Sequence, residues 1–439
     1  MDEAHMLGRG KYQDIHGYGD RFDILLGHLQ RVSEIAKNYG FELIMWGDMF
    51  FRLLHPAVLG DYYDSETAIP EKVSALIPDN VNLIYWDYYS RNQTRYDRNI
   101  RSHTAIKDNI WFAGGLWSWT GFAPHNQFSI DATQAAFSAC IENGVKDVFL
   151  TIWGDDGAEC SKFALLPSLY YASEIAKGNN DMEIIKEGFA QKYGIRFDDF
   201  MLLDLLGTPN ENHKIVNPER YMLFNDCFMG IWDSTIEEEG ISQSYTGCAE
   251  KLKALAGSKE YGYLFATMGS LCDVMAIKFE LGAQTRKAYN AKDMDALKQI
   301  TEKYSTLIEL LDVFYDHFRT QWFTENKPNG FELHDIRLGG LMQRVKHCRD
   351  RLSAYISGDI DTLSELDEQL LDAFGNGTEF AHKTKLHLNW ATNAVIDVII
   401  NGALIDANPF RKMQIRLQEP FLLPQTIPLS NIDSIHFNM

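Results

Sequence analysis

Carboxylates and aromatic rings recur together at five places before residue 160. The first is Asp2-Glu3, adjacent acids followed by AHMLG, and the second is Trp46-Gly47-Asp48. Tyr85-Trp86-Asp87-Tyr88-Tyr89 is the third, and GGLWSWTGF (114–122) concentrates glycines with Trp117 and Trp119. The last is Trp153-Gly154-Asp155-Asp156-Gly157-Ala158-Glu159. Aromatic faces stack on the C–H faces of sugar rings. Carboxylates accept hydrogen bonds from neighbouring hydroxyls and supply acid and base groups at an anomeric carbon. Each residue also has a plainer use. A single strand-end Trp packs as readily as it binds, and Asp48 or Asp156 is suited to capping the helix that follows. It is the whole set in register that points to carbohydrate. Trp111, which opens its apolar run, reads as structural. No G-x-x-x-x-G-K loop and no H-E-x-x-H helix is present, which removes the kinase and metalloprotease readings. His5, His16, His55, His103 and His125 fall in separate loops without an i, i+4 pair, so no metal and no cofactor is predicted.

The elements that must carry these residues are visible as short apolar runs: FELIMW (41–46), VNLIYW (81–86), IWFAGGLW (110–117) and VFLTIW (148–153). Near-continuous apolar character is expected of strands buried on both faces. Six of the nine tryptophans lie at or before residue 153, and Trp46, Trp86, Trp117 and Trp153 recur 31 to 40 residues apart. Helical spacing fills the gaps, as in Phe22, Leu25, Leu26, Leu29, Val32, Ile35 and Ala36, while Asn143-Gly144 forms a stop signal after Ala135 to Ile141. This βα rhythm predicts a (β/α)8 barrel, in which catalytic residues occupy the C-terminal ends of strands and the loops after them. The rhythm stops after Pro167. Amphipathic helices are then predicted at 167–177, 182–192, 218–232, 259–288, 293–318, 338–357 and 360–374. The expected organisation is an α/β region over 1–178 (the C-terminal half of a TIM barrel), an α-helical domain over 179–420 and an extended tail over 421–439. A full barrel uses about 250 residues and eight strands, whereas this stretch holds four strands and the bare end of a fifth. The chain is therefore expected to be truncated at its N-terminus. Its open strand edges favour aggregation or self-association into a homo-oligomer.

Composition narrows the partners. Of 439 residues, 41 are Lys or Arg and 61 are Asp or Glu, a formal charge of -20. A duplex bearing one negative charge per roughly 1.7 Å would be repelled, so nucleic acid is excluded. No apolar stretch approaches the roughly 20 residues of a membrane span, and MDEAHMLGRGKY lacks the form of a secretory signal. The six cysteines are scattered without a C-x-x-C pair, as expected of reduced core thiols in a cytoplasmic protein.

At the strand-end residues the sequence resembles glycoside hydrolase family 20, the β-N-acetylhexosaminidases. The resemblance rests on Asp2-Glu3 with Leu7 and Gly8, on Trp46, on Tyr85-x-Asp87, on the Trp117 region and on Trp153-x-Asp155. NDCFMG (225–230) and DIRLGGLMQRV (335–345) look like the bacterial subgroup whose barrel precedes an all-helical domain. The resemblance implies exo-acting hydrolysis of terminal β-linked GlcNAc or GalNAc from oligosaccharides. The sugar's own acetamido oxygen attacks the anomeric carbon, an exception to the two-carboxylate scheme. It implies that Glu3 is general acid and then base, that Asp2 holds the acetamido N–H, and that Tyr85 donates to the acetamido oxygen. It further implies that Trp46, Trp117 and Trp153 wall the pocket, with Trp119 competing for Trp117's place, and that Asp87 and Asp155 bind hydroxyls or tune the Asp2-Glu3 pair. Many members carry Glu where Asp155 stands, so Asp155 and Glu159 both remain candidates there. The resemblance implies that the family's hydroxyl-binding Arg belongs to the first barrel strand, which is expected to be missing from this chain. Two further readings stay open: a retaining glycosidase using Asp155 or Glu159 with a second carboxylate at about 5–5.5 Å, and an inactive sugar-binding fragment.

Overall fold

The computed structural model describes residues 4, 7–54, 69–209, 217–236 and 240–370, together with five short strands between 397 and 437. It is mostly helical. Two compact units divide the chain: one comprises 1–114, 135–149 and 379–439, the other 115–134 and 150–378.

A four-stranded sheet has the order β1 (Leu43–Trp46), β2 (Val81–Trp86), β3 (Ile110–Gly115) and β4 (Asp147–Thr151). β1 pairs with β2 and β2 with β3 in parallel, with Leu43 opposite Val81 and Leu83 opposite Ile110. All four apolar runs form strands, but not all reach their Trp. β1 and β2 close on Trp46 and Trp86, whereas β3 ends at Gly115 and β4 at Thr151, leaving Trp117 and Trp153 two residues into their loops. In the first unit, helix Arg21–Asn38 starts at Asp20, whose carboxylate accepts from the Phe22 and Asp23 amides, and it buries Leu25, Leu26, Leu29 and Ala36. Helix Gln93–Thr104 is capped by Asn92 and buries Tyr96 and Ile100. Tyr85, Tyr96 and Phe112 pack with ring centroids 5.5 to 6.3 Å apart.

The second unit is built on long helices at Ile241–Lys253, Gly262–Asn290, Met294–Glu325 and Phe331–Ser357. Leu264, Phe265, Leu271, Leu307, Phe314, Phe318, Val345 and Leu352 form its core. The loop after β3 belongs to this unit: Phe122 lies edge-on to Phe314 at 5.6 Å and Phe318 at 5.5 Å. All six cysteines are buried free thiols. No helix among the described residues is long and apolar enough to cross a membrane.

Several elements depart from the sequence reading. The helix expected over 218–232 runs only Pro218–Phe224, because Asn225 takes an extended conformation. Its side chain donates to Asp233 at 2.7 Å and accepts from the Trp232 amide at 3.2 Å, fixing a loop instead. Helix Ile241–Lys253 was not anticipated. Of 360–374, the described residues are helical only at Ser364–Asp367. Within the span expected to be helical and then tail, five strands form an antiparallel sheet ordered β8-β7-β6-β5-β9: β5 (Asp397–Ile400), β6 (Ala403–Asp406), β7 (Met413–Leu417), β8 (Gln425–Ile427) and β9 (His436–Phe437).

Candidate active site

Tyr85 and Asp87 are separated by one residue at the end of β2, so their side chains leave the same face. Both are buried, and the Tyr85 hydroxyl donates to Asp87 Oδ2 at 3.0 Å. Helix Gln93–Thr104 completes the cluster: Asn99 Nδ2 donates to the Tyr85 hydroxyl at 3.1 Å, and Arg95 Nε donates to Asp87 Oδ2 at 2.8 Å. The Tyr89 amide takes the other oxygen, Oδ1, at 3.0 Å. Burial, reinforced by the adjacent Asp87 charge, pushes the Tyr85 hydroxyl well above its ordinary value. It is thus a proton donor across the whole working pH range. His103 is a core residue here: burial lowers it to about 4, its Nδ1 meets the Asn99 carbonyl at 2.7 Å, and its ring packs on Tyr85 and Phe51. Gly47 fits only as glycine, since a Cβ there would approach His103 Nε2 to 2.7 Å. Half-buried Trp46 meets Phe149 at 6.0 Å, and the buried Asp48 opens the short helix Asp48–Leu54. Trp111 also packs against Phe149, at 6.4 Å.

In the second unit the loops after β3 and β4 lie together. Trp117 and Trp119 are buried with ring centroids 4.8 Å apart and planes tilted by 31°, and Phe128 lies 4.8 Å from Trp117. The Ser118 hydroxyl donates to the Trp153 carbonyl at 2.7 Å, and Lys162 Nζ donates to both. Trp153 is 40% exposed, and Asp155 two residues on is also exposed. Glu159 is buried, with Arg220 Nε 3.1 Å from one oxygen and Arg337 Nη1 on the other. His334 Nε2 meets the Gly157 carbonyl at 2.9 Å.

The structure therefore brings Tyr85 to Asp87, Trp117 to Trp119, and the Trp119 loop to Trp153. It presents Trp153 and Asp155 to solvent and uses Glu159 as an ion-pair anchor. Asp2 and Glu3 lie outside the described residues. Arg95, Asn99, Lys162, Glu219, Arg220 and Arg337 were missed as functional residues. Only Arg337 stood in a motif singled out from sequence, DIRLGGLMQRV.

Residues 198–384 match the family model described as the Glycoside Hydrolase 20C C-terminal domain. This match, over less than half of the chain, bears out the resemblance to glycoside hydrolase family 20 with a helical C-terminal domain. None of the curated proteins matches the sequence. Among solved structures, the chain aligns with a GH138 enzyme targeting pectin rhamnogalacturonan II at 10% identity, over 79% of this chain and 75% of that one. Its TM-score is 0.35, too low to carry an argument.

Proposed function

We propose that the chain is an exo-acting β-N-acetylhexosaminidase that hydrolyses terminal β-linked GlcNAc or GalNAc from oligosaccharides with retention. The observation that carries this reading is the match of 198–384 to a family 20C domain in a chain whose strand ends bear Trp46, Tyr85-x-Asp87, Trp117 and Trp153-x-Asp155. On this reading the four-stranded sheet is part of a (β/α)8 barrel. The family's mechanism assigns Asp2 to the acetamido N–H, so that the carbonyl oxygen attacks the anomeric carbon and a cyclic oxazolinium forms. Glu3 protonates the departing oxygen and then removes a proton from the water that opens the ring. Such proton transfer is typically worth 10²–10⁴-fold.

The geometry adds one condition. The Tyr85 hydroxyl donates to Asp87, so donating to an acetamido oxygen requires it to turn away from Asp87, which keeps Arg95 as its partner. The alternative of Glu159 as nucleophile is disfavoured, because both its oxygens are engaged by guanidinium groups.

Turnover of aryl β-N-acetylglucosaminides tests the reading. Glu3→Gln should abolish hydrolysis of substrates with poor leaving groups and impair activated ones much less, because only the former need a proton on the departing oxygen. Equal loss on both, or cleavage of a plain β-glucoside as fast as the acetamido sugar, would refute it.

A further inference from the structure

We propose that Glu219 and Arg220 are positioning residues: together they hold the two loops that carry Trp117, Trp119 and Trp153. This deepens the proposed function and rests on it in one respect, that these tryptophans meet the sugar.

Helix Pro218–Phe224 begins with proline at its first position, which presets the backbone, and the next two side chains leave the helix about 100° apart. Glu219 is fully buried, and its Oε1 accepts from the Phe122 amide at 3.2 Å and the Ala123 amide at 3.4 Å. Those amides belong to the loop after β3, just beyond Trp117 and Trp119. The approach is close: a Cβ at Gly121 would fall 2.5 Å from the same oxygen. Arg220 reaches the other loop. Its Nε pairs with Glu159 at 3.1 Å, while its Nη1 lies 3.5 Å from the Thr120 carbonyl. Arg337 closes on the second Glu159 oxygen, and His334 secures Gly157.

The consequence is mechanical. Two consecutive residues grip segments of chain about 100 and 60 positions upstream, and between those grips the loops meet through Ser118 and the Trp153 carbonyl. A loop bearing a stacking ring confers binding only if it is held before the ligand arrives, because otherwise ordering it is subtracted from affinity. Glu219 Oε2 is buried without a hydrogen-bond partner. A buried oxygen without a partner is costly, and here it accompanies the grip exerted by Oε1.

Hydrogen exchange on the full chain tests the grip without reference to turnover. Glu219→Ala should speed exchange of the peptide holding Phe122 and Ala123 by about tenfold, the scale of a lost hydrogen bond, with helices Gly262–Asn290 and Met294–Glu325 unchanged. Glu219→Gln retains an oxygen that can accept both amides and should restore parental exchange. Gly121→Ala disturbs the same contact from the loop side and should mimic Glu219→Ala, which keeps the test open if that variant fails to fold. In parallel, KM for an aryl β-N-acetylglucosaminide should rise severalfold in Glu219→Ala with a smaller change in kcat, and recover in Glu219→Gln. Unchanged exchange in Glu219→Ala and Gly121→Ala, or a Gln variant as loose as the Ala one, would overturn the proposal. Faster exchange in Glu219→Ala and Gly121→Ala, together with a parent chain that turns over no N-acetylhexosaminide, would uphold the grip and overturn the proposed function.

Discussion

Raising the pH through neutrality should weaken the parent chain more than a Glu219→Gln variant. Burial pushes the Glu219 carboxyl from 4.5 up to about 7; the Phe122 and Ala123 amides pull it down, and the Glu159 charge adds to the rise. Tyr245, Cys160 and Cys272 face the same charge from neighbouring elements. The folded chain therefore keeps a proton that the unfolded chain releases at a lower pH. Stability from the neutral carboxyl is complete below about 4.5, declines as pH rises, and is lost once pH passes about 7. That interval corresponds to about 3 kcal/mol. Asp204 and Asp233, each raised by burial to about 6, add slopes of the same sign in the parent. They persist in the variant, so the informative quantity is the difference between the two chains. Urea unfolding of both at closely spaced pH values from 4.5 to 8 measures it. The buried amide of the new Gln offsets the variant by a constant and leaves the slope intact. Parent and variant curves that run parallel would show that Glu219 is ionised throughout and that the burial argument is wrong.

Trp153 and Trp117 should separate binding from folding. Trp153→Ala removes a half-exposed ring and should raise KM severalfold with little change in melting temperature, whereas Trp117→Ala opens a buried site and should cost about 3–5 kcal/mol; calorimetry beside steady-state kinetics reads both. Asp87→Asn weakens the contact with Arg95 and leaves Tyr85 facing an amide. It should lower kcat/KM at least tenfold, measured on N-acetylhexosaminides, and an unaffected kcat/KM would remove Asp87 from the site.

How much of this was legible in the sequence depends on the range of the interaction. β1 to β4 were visible because strands buried on both faces leave an unbroken apolar signature. Tyr85-x-Asp87 was visible as a pair because one intervening residue returns a strand to the same face. Arg95 and Asn99 share a helix face one turn apart, yet nothing local says that this face meets Asp87. Helix Ile241–Lys253 hid behind Ser, Thr and a central Gly247, weak helix formers that tertiary packing of Tyr245, Cys248 and Leu252 overrides. The antiparallel sheet left one signal unread: Asn401-Gly402 between two apolar runs is the strongest short-range hairpin cue in the chain.

Glu159 shows why the site could not be completed from motifs. In sequence it is one of three acids that closely follow Trp153, and the Glu that many family members carry after this Trp made it a candidate, beside Asp155, for hydroxyl binding or nucleophilic attack. In the structure it is buried, and a buried carboxylate must be matched by charge or hydrogen bonds. The matching groups, Arg220 and Arg337, come from helices roughly 60 and 180 residues later. No strand-end pattern could announce them, because their role is set by where the helical domain folds back and not by their neighbours in the chain. The same event places Glu219 under the Trp119 loop and Phe122 between Phe314 and Phe318. The loops after β3 and β4 are thus folded as parts of the helical unit. The helices of that unit thus hold the aromatic loops through the Glu219, Arg220 and Arg337 contacts and the packing of Phe122.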